Sequence, residues 1–323
     1  MSRLDIKGKI LVCCPGSAVT GGPELMHQLV NELRKLNHEA YICYFPFERK
    51  HDCPDDYKEY NAPQMRFSDE EGDLIILPEI ATCFVMKIQQ ARVAIWWLSV
   101  DNYFRGCGEN WVKDSFAKVK TLFRDRLPLI CLRKCLHFTQ SAYARNFLSS
   151  AFIPSMMLTD YLNLIHLNAK DGSIYLKKNI IVYNPKKGVL KTKALIATNP
   201  NVDFVPVQGM TRDEVSTLLS TAKIYIDFGH HPGKDRLPRE AAMAGCCIVT
   251  GIQGSARNDE DVPILSVYKL DDGCIHGGGF RSLVVSIFND FELHSANFKE
   301  YRAKIRNEPT AFRHQLGDIF GKR

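Results

Sequence analysis

The sequence predicts an α/β protein built from two parallel-sheet domains, and three observations carry that prediction. Short apolar runs of strand length alternate with amphipathic stretches of helix length along most of the chain, which is the pattern of βαβ units. The alternation starts afresh after a stretch mixing Pro, Asn, Asp and Gly, "IPSMMLTDYLNLIHLNAKDGS" (153–173). The length of 323 residues is more than one comfortable core takes and suits two domains.

In chain order, "KILVCCP" (9–15) reads as a buried strand, and "GSAVTGG" (16–22) as a Gly-rich loop. "PELMHQLVNELRKLNH" (23–38) reads as a helix, because Leu25, Leu29, Leu33 and Leu36 recur at helical spacing behind Pro23. "EAYICYF" (39–45) is the next strand, followed by a polar, Pro-containing excursion over 46–72. "DLIILPE" (73–79) and "ARVAIWWLSV" (91–100) are further strands, and "LHFTQSAYARNFL" (136–148) reads as strand, turn and helix. The second half repeats this grammar: strand "NIIVYNP" (179–185), helix "GVLKTKALIATN" (188–199), strand "VDFVPV" (202–207). Helix "TRDEVSTLLSTA" (211–222) opens with a capping box, Thr211 and Glu214. Strand "KIYIDFG", a short Ala-rich helix and strand "CCIVTG" complete the series. The expected division is 1–160 as one Rossmann-like domain, 161–300 as a second, and 301–323 as a helical tail packing back towards the first.

Composition excludes several classes. With 45% hydrophobic and 24% charged residues the chain reads as soluble and globular. Its longest apolar runs, such as "VAIWWLSV" (93–100), fall far short of the roughly 20 residues a bilayer span needs. Residues 1–14 hold only the apolar stretch "ILVCC" and no cleavage signal, so no signal peptide is expected. The eleven cysteines are odd in number and many lie in core-like runs (Cys13, Cys14, Cys246, Cys247), as free thiols of a reducing cytosol do. No CxxC and no Cys/His cluster has zinc spacing, so no structural metal is expected.

The net charge of +6 is concentrated. Residues 105–145 hold nine Lys/Arg against three acids, an excess equal to that of the whole chain. Interleaved with Phe116, Val119, Leu122 and Phe123, these cations read either as a surface for an anionic membrane or as a solvated helix face. Nucleic acid is not an expected partner, because no aromatic platform or groove-reading motif accompanies them. The expected location is the cytoplasm, with peripheral attachment to the inner face of the membrane through 105–145.

The stretch "HHPGKDRLPREAAMAGCCIVTG" (230–251) concentrates chemistry. A strand runs into a loop carrying His230, His231, Lys234 and Arg236 among Gly and Pro, and Glu240 follows in what reads as the first turn of a helix. Ligands of such sheets bind beyond the C-terminal strand ends, where this loop lies. The loop at 16–22 is not a P-loop, since Gly22-Pro23 stand where Lys-Ser/Thr would be, but Gly21-Gly22 before a helix N-terminus still suit an anion. They read equally as a tight turn.

Two stretches carry a family resemblance. "GSAVTGGPELMHQLVNELRKLNHEAYI" resembles the opening of retaining GT-B glycosyltransferases of the "group 1" type (family 4 and its relatives), where a Gly-Gly pair precedes a helix and a strand. The run from "FVPVQGMTRDEVSTLLSTAKIYIDFG" to "LPREAAMAGCCIVTG" is similar to that family's donor domain. The resemblance implies two Rossmann-like β/α/β domains facing across a cleft, the first for the acceptor and the second for the donor. It implies transfer of a sugar from a nucleotide-sugar donor to a glycan or lipid-linked glycan acceptor, with retention, as in bacterial-type surface polysaccharide synthesis. Glu240 matches the second glutamate of the family's E-x7-E pair, whose implied role is to accept hydrogen bonds from the donor ribose. It also reads as an acid stabilised by a helix N-terminus. The first glutamate is replaced by Pro232, so sugar recognition would fall to other groups of the loop, including His230, His231 and Gly233.

A nucleotide sugar carries two phosphates, and its departure gathers negative charge that cations and backbone amides stabilise. Lys234 and Arg236 are candidates, and "YNPKKG" (183–188) adds Lys186 and Lys187 at another strand end, similar to the family's "…KG". Singly, each also reads as a solvated charge. Asp259-Glu260-Asp261 forms a DxD, but in a late acidic loop that reads as solvated, so transfer without a metal or other cofactor is expected. For the acceptor, "WWLSVDNYF" (96–104) offers Trp97, Asn102 and Tyr103 for a sugar ring and Asp101 to take its proton. The same residues read as core tryptophans and an Asp-Asn turn. Two rival functions stand beside transfer: a nucleotide-sugar epimerase or hydrolase of the same fold, and a catalytically silent nucleotide-sugar or glycan-binding subunit.

Overall fold

The computed structural model describes residues 3–16, 19–105, 126–167 and 177–321. The chain forms two compact units, Met1–Asp160 with Thr310–Arg323, and Tyr161–Pro309.

The first unit is built on six strands: β1 (Ile10–Pro15), β2 (Ala40–Phe45), β3 (Leu74–Pro78), β4 (Arg92–Trp97), β5 (Leu136–Thr139) and β6 (Met156–Met157). They pair in parallel in the order β2-β1-β3-β4-β5-β6. In register, Val12 has Ile42 on one side and Ile76 on the other, and the strands covered on both faces are continuously apolar for that reason. The helix Gly21–Lys35 buries Leu25, Leu29 and Leu33 against this sheet layer, as the leucine spacing predicts. The chain end belongs to the same unit: Leu4 N–H donates to Ile319 O (2.8 Å), and Thr159 N–H to the Gln315 side chain (2.7 Å).

This unit corrects the acceptor assignment for two residues. Trp97 is fully buried, and its indole N–H donates to His137 Nδ1 at 3.0 Å. The other His137 nitrogen meets Leu132 O at 2.9 Å, and burial lowers the pKa of His137, so the imidazole is neutral and bridges core to backbone. Tyr103 is buried beside Trp97 with its hydroxyl on Leu127 O. Neither ring offers a face to a sugar. Asp101 and Asn102 are half-buried in the helix Val100–Arg105, and Tyr143 Oη lies 3.4 Å from Asp101 Oδ1.

The second unit has four parallel strands, β7 (Lys178–Tyr183), β8 (Asp203–Pro206), β9 (Ala222–Asp227) and β10 (Cys247–Thr250), in the order β10-β9-β7-β8. Helices Val189–Thr198, Arg212–Thr221 and Arg236–Met243 connect them. The Thr211–Glu214 capping box forms as read from sequence. Lys177 is buried at the base of the unit, donating to Leu219 O (2.9 Å), Ala222 O (2.9 Å) and Ala244 O (2.7 Å). Its ammonium thereby satisfies carbonyls at the C-terminal ends of two helices.

None of the ten described cysteines forms a disulfide. Among the described residues no helix is long and apolar enough to cross a membrane. About half of the basic stretch, residues 106–125, lies outside the described residues. The DxD loop is pinned, with Asp259 on Lys269 at 2.6 Å and Asp261 buried.

Candidate active site

In the second sheet the strand order reverses between β7 and β9, since β8 lies outside β7 on one side and β10 outside β9 on the other. Open parallel sheets bind ligands at the C-terminal strand ends beside such a reversal. The loop after β7 carries Lys186 and Lys187, and the loop after β9 carries residues 228–235, so both cationic stretches meet there.

Two glycines bring them together. Gly188 has φ +57°, and a Cβ on it would lie 2.6 Å from Gly229 N and from Phe228 C. A Cβ on Gly229 would lie 2.5 Å from Lys187 Cβ. The two backbones pass at a separation only glycine allows, and the Lys187 ammonium then reaches Asp235 Oδ2 at 2.6 Å.

His231 is the hub of the cluster. Its side chain is 1% exposed, with Nε2 3.5 Å from Asp227 Oδ1 and Nδ1 3.1 Å from Asp235 Oδ2. Burial works against the imidazolium, but Asp227 and Asp235 together raise the His231 pKa above its ordinary value. Burial likewise works to raise Asp227, yet the His231 hydrogen bond and charge, Lys187 and the Gly229 N–H hold it below the usual carboxylate value. The backbone of His231 is fixed as well, Ser255 N–H donating to its carbonyl at 2.9 Å. This burial corrects the expectation that His231 touches the donor sugar or phosphate: it organises two carboxylates from inside.

Asp227, His231 and Asp235 form a ligand-type grouping among the described residues, their donor atoms within 4.8 Å of one another. The imidazole itself lies between the carboxylates, one nitrogen towards each, and the Lys187 ammonium already sits on Asp235. An imidazole between these carboxylates and an ammonium on one of them thus already occupy the grouping.

The remaining loop cations differ from expectation. Lys234 is turned inward, its side chain 8% exposed and its Nζ 2.8 Å from Glu308 Oε1, which corrects its assignment to the donor diphosphate. Gly233 is buried and its carbonyl accepts the Ser255 hydroxyl, so what it offers a ligand is its place in the loop. Lys186 is exposed, and Lys187 is half-buried. Arg236 opens the helix Arg236–Met243, so Glu240 falls in the second turn, not the first. Its half-buried carboxylate lies 3.5 Å from both His166 Nε2 and Arg236 Nε.

In the first unit, Gly21 and Gly22 begin the helix Gly21–Lys35, and among the described residues a Cβ on Gly22 would meet only Leu98 Cδ1, at 3.8 Å. Glu24 is buried in that first turn and accepts from Tyr60 at 3.0 Å. Glu79, at the end of β3, is also buried; burial raises its pKa to about 7, offset in part by the Leu98 N–H. Asp227, Asp235, His166, Arg239, Glu308 and Glu79 were not picked out from sequence. Asp227 carried a signal, being a carboxylate closing a buried apolar strand directly before the loop.

No protein-family model and no curated protein matches the sequence. Solved structures do match its shape. Sucrose-phosphate synthase from Thermosynechococcus elongatus is similar over 96% of this chain and 98% of its own, with a TM-score of 0.68 and 10% identity. The fold is GT-B. Anabaena HepE in complex with UDP-glucose is similar over 95% and 98%, with a TM-score of 0.58 and 11% identity. The catalytic domain of Arabidopsis thaliana starch synthase IV, bound to ADP and acarbose, is similar over 94% and 99%, with a TM-score of 0.52 and 10% identity. At these identities the likeness is one of GT-B architecture, and the two parallel sheets carry it.

Proposed function

We propose that this GT-B protein is a glycosyltransferase that takes its sugar from a nucleotide-sugar donor bound at the β7/β9 reversal. The observation that carries this reading is Lys187, a half-buried ammonium placed by the Gly188–Gly229 crossing at the C-terminal edge of the sheet. There it meets an acidic partner now and would meet a diphosphate in the complex. Lys187, with exposed Lys186 beside it, neutralises the charge that grows on the departing diphosphate. Glu240, one helical turn away from Arg236, accepts the ribose hydroxyls. The solved structures of HepE with UDP-glucose and starch synthase with ADP agree with a nucleotide-binding role for this fold.

Retention, independence from metal, and a glycan or lipid-linked acceptor of the surface-polysaccharide kind are parts of the same proposal. Support for metal independence comes from the Lys187 ammonium, which already lies on Asp235, and from the His231 imidazole, which stands between Asp227 and Asp235. An anionic membrane surface contacted through 105–145 would bring a lipid-linked acceptor within reach. A second reading, nucleotide-sugar binding without transfer, is favoured by Pro232 in place of the first glutamate.

The test is a thermal-shift screen against UDP-, GDP-, ADP-, dTDP- and CMP-sugars, with magnesium and with EDTA. A ligand bound only by the folded state adds about 2.7 kcal/mol at a hundredfold excess over Kd. A shift with one nucleotide family, unchanged by EDTA and followed by sugar transfer, is the expected result. Binding without turnover under a panel of glycan acceptors would favour the second reading, and no binding at all would defeat both.

A further inference from the structure

Glu308 lies far from the loop in sequence but holds it from behind. It sits in the helix Lys299–Phe320, one residue before Pro309, where the second unit ends. Both carboxylate oxygens are engaged: Oε2 accepts from Arg239 Nη1 at 2.7 Å, and Oε1 from Lys234 Nζ at 2.8 Å. The side chains of Arg239 and Glu308 are 1% and 5% exposed. Arg239 in turn donates from Nε to Asp235 O at 3.1 Å and from Nη2 to Lys234 O at 3.2 Å. Asp235, so held by its backbone, carries the carboxylate that meets Lys187 and His231.

We propose that Glu308 is a positioning residue for the donor loop: through Arg239 and Lys234 it sets the backbone at 234–235 and thereby the place of Lys187. The proposal rests on the donor site assigned above. Its physical basis is that two buried cations share one buried carboxylate. Removing that carboxylate leaves the buried Arg239 uncompensated in the interior, with or without Lys234, and so loosens the 234–235 backbone that Arg239 holds. The latch also ties the loop to the helix at the last residues before the chain passes into the first unit.

The experiment compares wild type, Glu308→Gln and the double variant Lys234→Met/Glu308→Gln, which withdraws a cation and an anion together and guards against a single variant that fails to fold. Amide hydrogen exchange over 229–236 is expected to quicken about tenfold in both variants while amides of β7 and β9 keep their protection. The donor KM is expected to rise about tenfold with kcat changed less than about threefold. A residue that only stabilised the fold would lower the melting temperature and leave KM unchanged. Loop exchange at the wild-type rate in a folded variant, or an unchanged donor KM, overturns the proposal. If the wild type binds no nucleotide sugar, the proposed function has failed, and the exchange comparison still decides the latch.

Discussion

Gly188 and Gly229 pass each other backbone to backbone, with a Cβ on Gly188 falling 2.6 Å from Gly229 N. Gly188→Ala therefore meets two penalties, a left-handed φ of +57° and a clash with backbone atoms that cannot swing away. Gly209→Ala supplies the comparison, since φ is +67° there but nothing lies within 4 Å. Gly209→Ala is expected to cost about 1 kcal/mol and Gly188→Ala at least about 1–3 kcal/mol more. Denaturant midpoints measure both, and equal costs would show that the crossing can relax.

Lys187→Ala and Glu240→Ala are each expected to lower transfer by about a hundredfold or more with the fold intact, as loss of a group acting on developing charge or on ribose does. Steady-state rates and circular dichroism of both variants check this. Full activity in both would remove the site assignment.

The buried carboxyl of Glu79 gives a pH signature. Its pKa is about 7 in the folded protein against 4.5 as the ordinary value, so the folded state keeps the proton longer. The contribution of this group to stability is then greatest below pH 4.5, falls as pH rises to about 7, and is flat beyond; the shift corresponds to about 3 kcal/mol. Glu79→Gln is expected to remove that slope and to stabilise the protein at pH 8, read from urea midpoints at pH 5 and pH 8. His231 acts in the adjoining window. Its raised pKa adds stability that is complete below pH 6.5 and is lost as pH climbs through the folded value.

Trp97→Phe is expected to destabilise the protein through the lost bond to His137 and the space left by the smaller ring, by about 1–3 kcal/mol, with acceptor KM unchanged. A selective rise in acceptor KM without loss of stability would restore Trp97 as a sugar platform. Thermal melts and acceptor titrations distinguish the two.

Much of the fold was legible because the signals that specify it are local. The central runs "ILVCC" and "IYI" of two strands are continuously apolar because strands covered on both faces must be. Thr211 and Glu214 cap a helix three residues apart, within one turn of chain. The sheet-edge position of the 230–236 loop followed from the same grammar, and Lys186 and Lys187 were placed on the second loop in the same way. Helix phase was less certain. The helix opens at Arg236, which puts Glu240 in its second turn and not its first.

What the sequence by itself determined, then, is where the strands end and which charged residues stand near those ends. Only the tertiary structure decided which of those charges are turned inward and which stay at the surface. Lys234 meets Glu308 across 74 residues of chain, and His231 is closed in between Asp227 and Asp235. A charge in a loop costs little in water and much in an interior, so its role depends on partners that folding alone brings near. Trp97 teaches the same lesson for apolar groups. A strand-end aromatic reads alike as platform or core, and only the packing of His137 and Tyr103 around it settles which.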